Sequence, residues 1–164
     1  MKALDPKALV VFLPLAIGFG IGQICPMKEE EDSTTYVRPA IQPPNAVFPV
    51  VWTILYLILG IILYRLWTNK QMKMGQNSKA LKLAMGLFLA QLVLNYSYVV
   101  AFGCERDLMA SLYILLVLLA VVMSLGAVMS NVDWVSTALL GPYLAWLGFA
   151  LQLNVSIVEK NAVM

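Results

Sequence analysis

The sequence predicts an all-α membrane protein in which five transmembrane helices form a single domain over residues 1–164. Three observations predict it. Hydrophobic residues make up 61% of the chain and charged residues only 12%, with a mean hydropathy of +0.81; soluble domains carry about 25% charge. Apolar runs near the ~20 residues that cross about 30 Å of hydrocarbon recur along the chain. Most connections between them are short, so the length accommodates about five spans.

The first helix is expected over 8–25. Lys2 and Lys7 precede it, as in a secretory signal, but no small-x-small cleavage pattern follows, and Gly22, Gln23 and Ile24 before Cys25 do not resemble a lipoprotein processing site. It is read as a retained helix. An extended loop, 26–45, follows and carries the acidic run Glu29, Glu30, Glu31 and Asp32. The second helix is expected over 46–67, the third over 80–103, the fourth over 108–130 and the fifth over 134–158. Only Asn131, Val132 and Asp133 separate the last two. Pro14, Pro49 and Pro142 are expected to start or kink their helices, freeing backbone groups for neighbours to satisfy.

Between the second and third helices lie Arg65, Lys70, Lys73, Lys79 and Lys82, with no acid among them. Basic residues collect on the cytoplasmic side, so this loop and the N-terminus are assigned to the cytoplasm or its equivalent, and the first loop and C-terminus to the opposite side. The basic loop is read as a topology signal rather than an anionic-lipid site. A formal net charge of +2 offers no basic surface for a nucleic acid.

Histidine is absent and cysteine occurs twice, which removes His-ligated haem, zinc sites and Ser-His or Cys-His catalysis from a single chain. No metal site and no covalently bound cofactor is expected. Cys25 and Cys104 fall at the outer ends of the first and third helices; a disulfide stays open, but two separate buried thiols is the preferred reading. No phosphate-binding loop and no internal repeat of a transporter is present. Gly18 with Gly22, and Gly86 with Ala90, could pack helices inside the monomer or across a homodimer.

Polar and aromatic residues inside apolar helices carry the remaining information, because an unsatisfied polar group in hydrocarbon is costly. Gln91, Asn95 and Tyr98 share one face of the third helix. The second helix sets Trp52 and Tyr56 one turn apart behind Phe48 and Pro49, and the fifth carries Tyr143, Trp146, Ala150 and Asn154 along one stripe. Trp52 and Asn95 both lie roughly 10 Å from the expected outer helix ends at ~1.5 Å per residue, with Trp146 and Asn154 bracketing that depth. Taken singly, each amide reads as interhelical glue of about 0.6 kcal/mol, up to about 2, and Trp67 and Trp134 read as interface anchors. Taken together, three helices bring amphipathic residues to one level, the pattern of a pocket for a flat, mostly apolar ligand.

The run from Tyr36 to Trp67, YVRPAIQPPNAVFPVVWTILYLILGIILYRLW, resembles the signature of the translocator protein family, also called TspO or the peripheral benzodiazepine receptor. Arg38, Pro39, Pro43 and Pro44 match its basic-Pro and Pro-Pro elements, and Val47 to Tyr56 match VFPxVWTxLY. Gln91, Leu94 and Asn95 resemble its QxxLN element, and Pro142, Tyr143, Leu144, Trp146, Phe149, Ala150, Leu153 and Asn154 resemble PYLxWxxFAxxLN. Ala46 stands where the family usually has Trp, and Tyr98–Val99 where it has Trp-Ser. The animal-type sterol motif at the end of the last helix is missing: Leu153 to Lys160 contains no Tyr.

The resemblance implies a bundle whose outer-half cavity binds porphyrins and similar hydrophobic ligands, acting as a tetrapyrrole sensor, scavenger or carrier. Trp52 and Trp146 would stack on the ring, while Gln91, Asn95 and Asn154 would orient it. Phe48, Tyr56, Tyr98, Tyr143 and Ala150 complete the expected lining, and Arg38, Pro39, Pro43 and Pro44 an expected lid. A second expectation is light-dependent protoporphyrin degradation with Trp52 and Trp146 as redox partners, because no ordinary acid/base or nucleophilic site is present. A third is a membrane scaffold regulated by ligand occupancy.

Overall fold

The computed structural model describes residues 6–25, 39–68 and 78–161. Its helices are α1 (Leu13–Ile24), preceded by a 3-10 segment Pro6–Phe12, α2 (Val47–Thr68), α3 (Ser78–Val99), extended by a π segment Val100–Cys104, α4 (Leu108–Met129) and α5 (Trp134–Asn161). The described residues contain no strand. α2, α3 with its extension, α4 and α5 are each long and apolar enough to span a bilayer; Leu9–Ile24 forms a shorter apolar helix. The chain is a five-helix bundle of the membrane class.

The helices pack in a ring, α1 against α2, α2 against α5, α5 against α4, α4 against α3 and α3 back against α1, with α2 also meeting α3. Each buries one stripe. In α4 the buried positions Ser111, Leu115, Leu118, Val122, Leu125 and Met129 alternate steps of four and three, the spacing of an inward-facing helical seam. Leu55, Leu59, Ile62 and Leu66 of α2 and Leu81, Ala84, Phe88, Gln91 and Asn95 of α3 do the same. The outward faces are equally apolar, exposing Val50, Ile54, Leu83, Leu89, Val93, Val117 and Met123. Such a surface is stable only against lipid.

Two glycines set how closely α1 approaches. A Cβ on Gly60 would overlap the Val11 carbonyl, and one on Gly18 would meet the Tyr56 ring at 2.5 Å. Gly22 and Gly86 instead face open space, so of the two small-residue pairs only Gly18 has an internal packing role. Pro14 sits in the first turn of α1, where its missing N–H costs no hydrogen bond, while Pro142 lies inside α5.

The two cysteines correct the expectation of separate thiols. Cys25 and Cys104 form a disulfide, with Cα atoms 4.8 Å apart. The pairing depends on where α1 stops and on the π segment that redirects the chain after α3: Glu105 N–H donates to the Val100 carbonyl, five residues back, at 3.1 Å. Gly103 lets the strand of backbone at Cys25 come close, since a Cβ there would sit 2.8 Å from the Cys25 carbonyl oxygen.

The opposite end is closed by an ion pair. Arg65 of α2 donates through Nε and Nη2 to the two carboxylate oxygens of Asp133, both at 2.8 Å, and Ser136 Oγ donates to the same carboxylate at 2.6 Å. Asp133 belongs to the short α4–α5 turn, and Arg65 holds its carboxyl well below the usual range, at about 2.

Candidate functional site

α3 and α5 face each other across the bundle, yet their backbones stay more than 8 Å apart. Long side chains fill the gap. Tyr56 OH donates to Asn95 Oδ1 at 2.7 Å, Asn95 Nδ2 donates to Tyr143 OH at 3.0 Å, and Tyr143 OH donates to Gln91 Oε1 at 2.9 Å. Gln91, Asn95 and Tyr143 are fully buried. The chain of donors ties α2, α3 and α5 together, and both amide atoms of Asn95 are committed within it.

Nearer the disulfide end, Asn154 Nδ2 donates to Tyr98 OH at 3.2 Å and Ser111 Oγ at 3.4 Å. Tyr98 stacks on Phe102 at 5.7 Å. These contacts join α3, α4 and α5, so the polar residues separate into one group in the middle of the bundle and one toward the disulfide rather than one continuous lining.

Between the groups lies an aromatic cluster. Trp52 and Trp146 meet edge to face, with centroids 6.5 Å apart and planes at 90°. Phe48 packs on Trp146 at 5.9 Å, Phe149 on Trp146 at 5.3 Å, and Trp52 on Tyr56 at 5.4 Å. Ala150, one turn past Trp146, is half-buried and packed against the core. Pro44 leads into α2, its carbonyl accepting from Val47 N–H at 2.9 Å, and Pro39 and Gln42 close the preceding turn at 3.1 Å. Arg38 lies outside the described residues, so the expected lid is described from Pro39 onward.

Three buried polar atoms of these residues have no partner among the described residues: Trp146 Nε1, Gln91 Nε2 and Asn154 Oδ1. Two donate and one accepts. A buried polar group left unpaired costs about 1–3 kcal/mol, which makes these atoms the ones able to gain from a bound molecule.

Sequence reasoning missed Tyr96, Ser111 and Phe102, and named Phe149 as a motif match without assigning it to the lining. Tyr96 donates to the Pro14 carbonyl at 2.9 Å and packs on Tyr56 at 5.9 Å, fixing α1 against the cluster. It lies next to Asn95 in sequence, off the Gln91–Asn95 stripe, where periodicity gives no signal. Phe149 and Phe102 follow Trp146 and Tyr98 at spacings of three and four, a signal that the sequence does contain. The described residues hold no group of His, Cys, Asp or Glu able to bind a metal ion.

A profile of the TspO/MBR family matches residues 10–159. Among relatives, the Tryptophan-rich protein TspO of Chlorobaculum tepidum is 32% identical over 98% of both chains. Its namesake in Archaeoglobus fulgidus is 31% identical over 90% of this chain and 92% of that one, and the Translocator protein of Bos taurus is 30% identical over 77% and 72%. With nearly the whole bundle matched, and the matched segment containing every helix that builds the aromatic cluster, the chain belongs to the TspO/MBR family.

Proposed function

We propose that the chain is a membrane receptor or carrier for tetrapyrroles and similar flat hydrophobic ligands, bound among Phe48, Trp52, Trp146 and Phe149. The observation that carries this reading is Trp146, whose indole N–H is buried without a partner inside an aromatic cluster. An aromatic plate with hydrogen-bond acceptors suits that setting: it stacks on one indole, meets the edge of the other, and accepts from Trp146 Nε1. Gln91 Nε2 is a second donor, whereas Asn95 holds Tyr56 and Tyr143 in place. We assign this end to the side opposite the cytoplasm, since the disulfide beside it fits an oxidising compartment and the described basic residues Arg65, Lys79 and Lys82 lie at the other end.

Titration with protoporphyrin in the dark, following tryptophan fluorescence, tests the reading. Saturable quenching that weakens in Trp146→Phe and Trp52→Phe is expected. Equal titration of parent and both variants contradicts the site.

A second reading is light-dependent porphyrin oxidation, and the relay of rings favours it. Trp146, Trp52, Tyr56 and Tyr96 form a series with neighbouring centroids 6.5, 5.4 and 5.9 Å apart, close enough to exchange an electron with a photoexcited ligand, while dioxygen takes up the electrons that the porphyrin loses overall. Loss of the porphyrin absorbance under light and air, and none in the dark, is its signature. Dark turnover contradicts it.

A further inference from the structure

At the end of the bundle remote from the aromatic cluster, the last turn of α2 and the first turns of α3 border a groove of about 370 Å³ lined by Leu66, Trp67, Ser78, Leu81, Lys82 and Met85. Leu66 and Leu81 are buried and form its floor, while Lys82 is exposed at its edge and Trp67 is 51% exposed. Ser78 and Lys82 stand four residues apart on one face of α3. The groove is otherwise apolar.

Its position decides what suits it. α2 leaves and α3 enters the membrane here, at the level where hydrocarbon gives way to headgroups, and an exposed Trp beside a Lys is the pair found at that boundary. Among the described residues Lys82 makes no ion pair, and Asp133, the described acid at this end, is held by Arg65. From 65 to 82 the sequence carries Arg65, Lys70, Lys73, Lys79 and Lys82 and no acid. A soluble anion has no use for the apolar floor, and a neutral apolar molecule has none for the unopposed charge. A lipid with an anionic headgroup uses both.

We propose that this groove binds one anionic phospholipid, its acyl chain over Leu66, Leu81 and Met85 and its phosphate at Lys82 and the Ser78 hydroxyl. The site is independent of the porphyrin reading, sharing no residue with the aromatic cluster.

The test is native mass spectrometry of the full chain in neutral detergent, titrated with phosphatidylglycerol and phosphatidylcholine of matched acyl chains. Phosphatidylglycerol should bind the first site about fivefold more tightly, the factor expected for one lysine–headgroup contact. Lys82→Gln should abolish most of that preference, and Lys79→Gln, one residue off the groove, should keep it. Met85→Trp, which fills the groove, should lower occupancy by both lipids. Because Lys82 is exposed, Lys82→Gln should keep the parent melting temperature, so its effect reads out binding alone. Equal binding of the two lipids, or a preference that survives Lys82→Gln, overturns the proposal. So does competition by excess glycerol phosphate, which would assign the site to a free phosphate.

Discussion

Tyr56 and Asn95, 39 residues apart in sequence, meet inside the bundle through a 2.7 Å hydrogen bond that joins α2 to α3. The bond ends at an amide whose nitrogen donates to Tyr143, so Asn95 spends one of its two lone pairs and one of its two N–H donors on joining the helices. Tyr56→Phe leaves Asn95 Oδ1 without its donor, and Asn95→Ala strips two hydroxyls at once. Expected losses are about 0.6–1.7 kcal/mol for the first and more for the second. Thermal unfolding in detergent checks both; an Asn95→Ala protein as stable as the parent would show that the network is not holding the helices.

Trp146→Phe keeps an aromatic ring and removes the unpartnered N–H. Protoporphyrin affinity should fall by roughly tenfold, the worth of one hydrogen bond of about 1.4 kcal/mol, while stability stays near that of the parent. Dark fluorescence titration beside a melting curve separates the two effects.

Gly60→Ala places a methyl group where the Val11 carbonyl lies. The clash is with backbone, which cannot swing aside like a flexible side chain, so a loss of about 1–3 kcal/mol is expected. Gly86→Ala, with nothing near its Cβ, is the control and should be neutral or slightly stabilising through helix propensity. The difference in melting temperature between the two variants is the measurement.

Asp133 is held at about 2 by Arg65, below the ordinary carboxylate value of about 3.9. A lowered folded-state pKa contributes stability above the unfolded value and loses it as pH falls through the folded one. Melting temperature should therefore be insensitive to this pair from pH 7 to about 4 and decline between about 4 and 2. Asp133→Asn should remove that part of the decline. Arg65 is 38% exposed, so solvent screening limits the pair to no more than about 1 kcal/mol.

The Cys25–Cys104 bond closes a loop of 79 residues. The chain-entropy relation gives about 4.5 kcal/mol for a loop of that size, an upper value here because the bilayer already confines the unfolded helices. Cys104→Ser, or reduction, should lower the melting temperature, and the parent alone should change mobility between reducing and non-reducing gels.

Hydrophobicity and its periodicity were enough to determine the membrane class, the five helices and their order, because a helix in hydrocarbon must satisfy its own backbone and therefore announces itself as an apolar run. The stripes Gln91–Asn95–Tyr98 and Tyr143–Trp146–Asn154 were legible for the same reason: residues three or four apart share a face whatever lies opposite. What lies opposite was not legible. That Asn95 is committed to Tyr56 and Tyr143 while Trp146 is left unpaired, that Cys25 reaches Cys104, and that Arg65 seals the α4–α5 turn all depend on the relative rotation and end-points of different helices. Those are fixed by close approaches such as Gly60 on Val11 and by the π segment after α3, interactions between residues too far apart in sequence for any local pattern to record.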